Sequence, residues 1–532
     1  MFETTSVFWY NLATYGLIAV VVLAPLALYL VWRRASFERR VKSLISVVVV
    51  ALLGGSAFAT RSVRNSYTRN LQNQAQYDAL EQHRQAQQQA GDAPTSANPT
   101  AQPANAQPGN AAAAPTANPA QLQAPTTAAQ PGAPPAAASH APGAVRNYWT
   151  DFRGPNRDGV YQEFAVNTNW PAGGLKPLWK QPIGLGWASF VVADGRAFTI
   201  EQRRQQEVVT AYDVQTGREL WTHGYNAEFR ESMGGDGPRA TPTWDAGRVY
   251  SLGATGELRV LDASSGRLIW SKNILSDNGA ANIQWGMSAA PLIVDDKVVV
   301  QPGGKGGKSI VAYNKATGAA VWKTLDDEAS YTSPMLVTLA GRRQILTVTA
   351  SRVVGLAPEN GALLWEYPWS NSASINVSQP VPLDSNHVFI SAGYGKGAAM
   401  FEINGSGPNY STRTVWENAS MKNKFNSSVL LNGHVYGLDE GILTCVEAAT
   451  GQRKWKGGRY GFGQLLLANG HLIVITEEGE LVLVKAAPDK FTEVAKFQAL
   501  NGRSWNVPVL AGGKLLVRNA SEMACFDLLA KN

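Results

Sequence analysis

The sequence predicts an all-β fold, an eight-bladed β-propeller closed between its first and last strands, preceded by a two-helix transmembrane hairpin and a disordered linker. Three observations carry this expectation. A motif ending in tryptophan recurs at blade-length spacing across residues 147–532. Two uncharged apolar runs flank an Arg-rich loop at the N-terminus. Between these parts lies a stretch built almost entirely of Ala, Pro, Gln, Asn, Thr and Gly.

The N-terminal runs come first. No charge interrupts Thr4 to Trp32, and aromatic residues stand at both ends of that run. A span over about 8–32 reaches across a hydrocarbon core of roughly 30 Å. Arg33, Arg34, Arg39, Arg40 and Lys42 follow, then a second uncharged run over 43–60. The positive-inside rule places the loop in the cytoplasm and both flanking chains outside, so the expected location is a bacterial inner membrane with the propeller in the periplasm. A second reading of the second run is a signal peptide, because Ala57-Phe58-Ala59 has the A-x-A form of a cleavage site.

Residues 61–146 open with a Gln-rich polar segment, expected to be an exposed helix over 62–85. From about Gly91 to Gly143 the chain lacks the branched and aromatic residues needed to bury a core, and disorder is expected.

Charge excludes one class of function. The chain carries +7, but residues 1–146 hold ten Lys/Arg against five Asp/Glu, leaving +2 for the remaining 386 residues. Basicity gathers beside the apolar runs, so nucleic acid is not an expected partner. Two cysteines in 532 residues exclude a disulfide framework or a multi-cysteine metal site.

The repeat defines the large domain. Ala211–Trp221, Val260–Trp270, Ala312–Trp322, Gly355–Trp365 and Cys445–Trp455 share the form A-x-D-x-x-x-G-x-x-x-W, with a degenerate copy ending at Trp416 and another at Phe497. The aromatic ends are 49, 52, 43, 51, 39 and 42 residues apart, the length of a four-stranded blade. In each copy the Asp or Asn caps a turn, the Gly supplies a positive φ, and the Trp starts an outer strand whose ring faces a neighbouring blade. The chain stops after Ala524–Leu528, a third strand without a fourth. Trp179 lies in an outer strand with no blade before it. Joining the two closes the ring at eight.

This repeat resembles that of the pyrroloquinoline-quinone (PQQ) dehydrogenase superfamily over about residues 175–532. The superfamily includes quinoprotein alcohol dehydrogenases and a non-catalytic propeller of the outer-membrane β-barrel assembly machinery. The resemblance implies the fold. For function it leaves two readings: a scaffold for envelope proteins or peptides, without cofactor, or a dehydrogenase or ligand sensor using PQQ with calcium. The dehydrogenases carry an adjacent Cys-Cys pair, a calcium site and a catalytic Asp. Here Cys445 and Cys525 are separate, no haem-attachment motif occurs, and the six histidines are scattered over turns and linker. The expectation therefore leans away from an enzyme, with no catalytic residue and no metal site assigned.

Three places before a recurrent proline the blades carry Trp187, Arg239, Ser288, Tyr331, Val377, Phe425, Phe462 and Trp505, and one place later smaller residues. The larger column serves either packing or a ligand surface at one mouth. For an anionic planar ligand or a peptide, the candidates are Arg239, Trp285, Tyr331, Lys424, Asn426, Tyr460, Trp505 and Asn506. The segment Tyr148–Glu163, with Arg153, Arg157, Asp151 and Asp158, is expected to knit onto the propeller rim.

Overall fold

The computed structural model describes residues 29–30, 32–33, 39–92, 149–407 and 409–530. Eight antiparallel sheets follow one another along the chain. Blades one to seven occupy residues 191–226, 243–273, 292–324, 335–368, 381–418, 429–459 and 464–498. The eighth combines 509–527 with the outer strand Pro177–Pro182. That strand pairs antiparallel with Glu522–Asp527, placing Trp179 opposite Cys525 and Lys180 opposite Ala524. The ring closes as the unpaired ends require.

The repeat residues lock each blade to the next. Trp221 of the first blade donates its indole N–H to Ala263 O of the second at 3.0 Å. Trp179, Trp270, Trp322, Trp416 and Trp455 do the same to Val214, Lys315, Pro358, Ala448 and Ala487. Trp365 departs from the pattern. Its indole donates to Gln344 Oε1 within its own blade, and the following blade extends into a long hairpin, Gly397–Ser406 with Asn409–Asn418, in place of the repeat's short turn. Cys445 and Cys525 are buried in separate blades, and burial pushes their thiols up to about 11 and about 12.

The N-terminal part differs from expectation. The sequence separates an apolar run over 43–60 from a polar helix over 62–85, whereas the structure joins them in one helix, α1 (Arg39–Asp92, 54 residues). No proline interrupts this stretch, and the pair Gly54-Gly55 does not break a helix flanked by good formers. Among the described residues no helix is long and apolar enough to cross a membrane. The first run, apart from Tyr29, Leu30, Trp32 and Arg33, and the Ala/Pro/Gln-rich stretch from 93 onward lie outside the described residues. Nor is α1 exposed throughout. Tyr77 and Leu80 are buried against the propeller, and His83, expected in solvent, lies 3.1 Å from Gln181 of the closing strand.

Candidate functional site

Residues 149–161 form a plug on the propeller axis rather than a rim attachment. Arg157 is fully buried and donates to Ala290 O, Pro291 O and Pro334 O at 3.3, 2.5 and 2.7 Å, and to Thr243 Oγ1 at 3.1 Å. Asp151 pairs with it at 2.9 Å. Arg153 reaches Ser428 O of the sixth blade, and Val160–Tyr161 adds a parallel strand to the seventh. Carbonyls at the start of inner strands point toward the axis, where proline removes the competing N–H. A guanidinium with five donors satisfies several of them at once. Two positively rotated residues, Arg153 (φ 64°) and Arg157 (φ 57°), bend the segment into place.

Above the plug lies a cavity of about 440 Å³. Phe152 of the plug contributes to its lining, and Ser288 stands three residues, about 10 Å of extended chain, before Pro291 at the plug. The larger column thus surrounds a cavity instead of packing between blades. Trp187, Arg239, Ser288, Tyr331, Val377, Phe425 and Trp505 all line it, with Trp285 and Lys424 from the predicted set. Trp187 and Trp505 lie 4.9 Å apart between ring centroids, Phe425 and Trp505 4.8 Å, and Trp285 and Tyr331 5.7 Å.

Three predicted residues sit elsewhere. Tyr460 is buried at the outer side of its blade, with its hydroxyl on Glu493 at 2.6 Å. It falls in the loop ahead of its inner strand, where sequence distance is a poor guide to depth. Asn426 and Asn506 belong to the smaller column, turn away from the lining, and are 2% exposed. Asn506 Nδ2 donates to Ala188 O at 2.8 Å and Asn426 Oδ1 accepts from Asn423 at 2.7 Å.

A second lining column went unread. Two places after the larger residues stand Ser189, Thr241, Ser333, Ser427, Gln464 and Val507, on the same face because strand side chains alternate. Adjacent blades are tied through it. Ser189 N donates to Thr241 Oγ1, Ala290 N to Ser333 Oγ, Ser333 N to Gln379 Oε1, and Gln379 N to Ser427 Oγ, all at 2.8–3.0 Å. The period-two spacing was available in the sequence. Tyr394 and Met233 had no such signal, since they come from loops.

The two cations of the cavity are unlike. Arg239 is committed to the protein: it donates to Gly235 O at 2.6 Å and to Gly237 O, and lies 4.4 Å from the Phe229 ring centroid. Burial pulls it down to about 10, which leaves it charged at neutral pH. Lys424 Nζ stands 4.6 Å from the Phe462 centroid and 5.5 Å from that of Tyr394, and no ion pair engages it among the described residues. The cavity therefore offers aromatic faces and one uncommitted ammonium, a setting for an anionic or aromatic group.

It does not fit a quinone with calcium. Calcium needs several oxygen ligands, carboxylates among them. Among the described residues no carboxylate lines the cavity, and Glu231 and Asp236 beside it are committed: Glu231 Oε2 accepts from Met233 N and Gly234 N, and Asp236 Oδ1 from Glu231 N. Among the described residues no three His, Cys, Asp or Glu gather as metal ligands.

Comparison with known proteins agrees with the repeat. The family model described as outer membrane protein assembly factor BamB matches residues 204–457. The chain carries a PQQ-like repeat propeller. This propeller is 21% identical over 281 residues to outer membrane protein assembly factor BamB of Shewanella oneidensis, covering 49% of this chain and 67% of that protein. It is 29% identical over 164 residues to a quinohemoprotein alcohol dehydrogenase of Comamonas testosteroni, covering 26% of this chain and 21% of the enzyme. The chain thus spans about a fifth of the alcohol dehydrogenases it matches. The crystal structure of the Comamonas enzyme superposes with a TM-score of 0.51 at 14% identity, over 73% of this chain and 82% of that one, a likeness of fold.

Proposed function

We infer that the PQQ-like propeller is a non-catalytic scaffold of the bacterial envelope, acting in outer-membrane protein assembly by receiving segments of other envelope proteins at the cavity-bearing mouth. The observation that carries this reading is the BamB family match over residues 204–457, joined to the relative matched over 67% of its length. The lining supports it: aromatic rings and one uncommitted ammonium suit an extended segment with aromatic and acidic side chains. In this reading the propeller faces the periplasm, and the apolar N-terminal runs hold it at the inner membrane.

The dehydrogenase reading is less favoured, because among the described residues no carboxylate lines the cavity, either as a calcium ligand or as a base. A photo-crosslinking residue at Met233 or Tyr394, compared with one at the outer-edge residue Val321, tests the scaffold. Envelope proteins captured from the mouth and not from the edge are expected. Equal capture from both positions, or turnover of alcohols with added quinone and calcium, overturns it.

A further inference from the structure

Helix α1 carries a polar stripe. Arg69, Asn73, Gln76, Tyr77, Leu80, His83, Arg84 and Gln87 recur at three- and four-residue steps, which places them on one face. That face lies across the closing strand of the eighth blade and onto the first blade. Gln76 Nε2 donates to Ile183 O at 3.0 Å and to Ala520 O, so one amide bridges the two ends of the chain where the ring closes. Arg84 pairs with Glu219 at 2.8 Å, Glu219 with Arg203 at 2.7 Å, and Arg203 with the fully buried Glu201 at 2.8 Å.

At its other end the stripe meets the loop 228–237, which forms one wall of the cavity through Met233 and Gly234. Arg69 donates to Glu231 O and Ser232 O, both at 3.1 Å, and Asn73 Nδ2 donates to Asp236 Oδ2 at 2.9 Å. From the cavity side Arg239 takes Gly235 O and Gly237 O, and Trp187 Nε1 takes Gly234 O at 2.6 Å. The loop contains three glycines, Gly234, Gly235 and Gly237, of which Gly235 and Gly237 have φ of 86° and 91°. Glycine gives such a segment little stiffness of its own, and these outside bonds add to the ones that Glu231 and Asp236 make within it.

We propose that α1 is a strap: Arg69 and Asn73 clamp loop 228–237 from outside and hold it as a cavity wall, so that a displacement of the N-terminal segment is passed to the cavity. The coupling rests on contacts of this chain alone and does not depend on what the cavity receives. The clamp is polar where most docked helices are apolar, so its residues are replaceable without loss of a core. It is separable from the ring closure, because Gln76, Tyr77, Leu80 and Arg84 hold the helix independently of the loop.

Hydrogen exchange on the full-length protein tests the strap. In the double variant Arg69→Ala/Asn73→Ala, amides of 229–237 are expected to exchange at least tenfold faster than in wild type, with the strands of the third to sixth blades unchanged. In Arg84→Ala, which cuts the ion pair at the far end, the loop is expected to keep its protection. Loop exchange within twofold of wild type in the double variant overturns the proposal. So does an Arg84→Ala variant that loosens the loop as much as the double variant does, because the effect is then general destabilisation.

Discussion

The indole of Trp221 lies flat on Gly266. A Cβ built there would stand 2.5 Å from Cε3 of the ring, and the indole N–H already holds Ala263 O three residues earlier. Gly266 also has φ of 71°. One glycine therefore serves the turn of its own blade and the seat of its neighbour's tryptophan.

Gly266→Ala is expected to lower stability by about 2–4 kcal/mol, combining backbone strain with displacement of the ring. Gly247, with φ of 78° and nothing within 4 Å of a Cβ, isolates the strain. Gly247→Ala is expected to cost only about 1 kcal/mol. Chemical denaturation of both variants checks the difference, and equal costs would remove the seating argument.

Arg157→Met keeps much of the side-chain volume of the plug and removes its donors. The carbonyls of Pro291 and Pro334, the Thr243 hydroxyl and Asp151 lose a shared partner inside the protein. A cost of about 3–5 kcal/mol is expected. Hydrogen exchange should locate the damage in 149–161. Unchanged protection there would mean that the plug does not depend on its guanidinium.

Lys424→Glu reverses the uncommitted charge of the cavity. An anionic aromatic dye, 1-anilinonaphthalene-8-sulfonate, is expected to bind wild type at the mouth and the variant at least fivefold more weakly. Fluorescence titration reads the change. Equal binding would show that Lys424 does not face the ligand space.

Asp262 makes one turn sensitive to acid. The hydroxyls of Ser264 and Ser265, and then their N–H groups, pull its carboxyl from an ordinary value near 3.8 down to about 2. The folded value is the lower one, so the contribution is present above about pH 4 and is lost as pH falls toward 2. Asn314 makes the same turn without titrating. Asp262→Asn should therefore be less stable than wild type near neutral pH, with the gap closing at pH 2. A gap independent of pH would show that another group titrates.

The eight blades and their closure were legible because the repeat is local. A capping Asp, a turn Gly and a Trp four places on report the same hairpin each time, and Trp179 facing an unfinished last strand needs only counting. The larger column was legible for the same reason, since inner strands share one register. Whether it packed or lined a cavity was not, because that depends on how far eight blades stand from their axis. Nor could Arg157 be placed: its acceptors come from the second, third and fourth blades.

By itself the sequence determined the eight-bladed architecture of residues 147–532, the turn role of the repeat's Gly and the packing role of its Trp, and a polar helix over 62–85. Only the tertiary structure decided that the plug lies on the axis, that Tyr460 leaves the cavity, and that the stripe grips loop 228–237. The physical reason is the range of the interactions. Turns and strand alternation are written in neighbouring residues. A polar side chain on a helix reads as solvated until a carbonyl 107 residues away, such as Ile183 O for Gln76, comes within 3.0 Å of it.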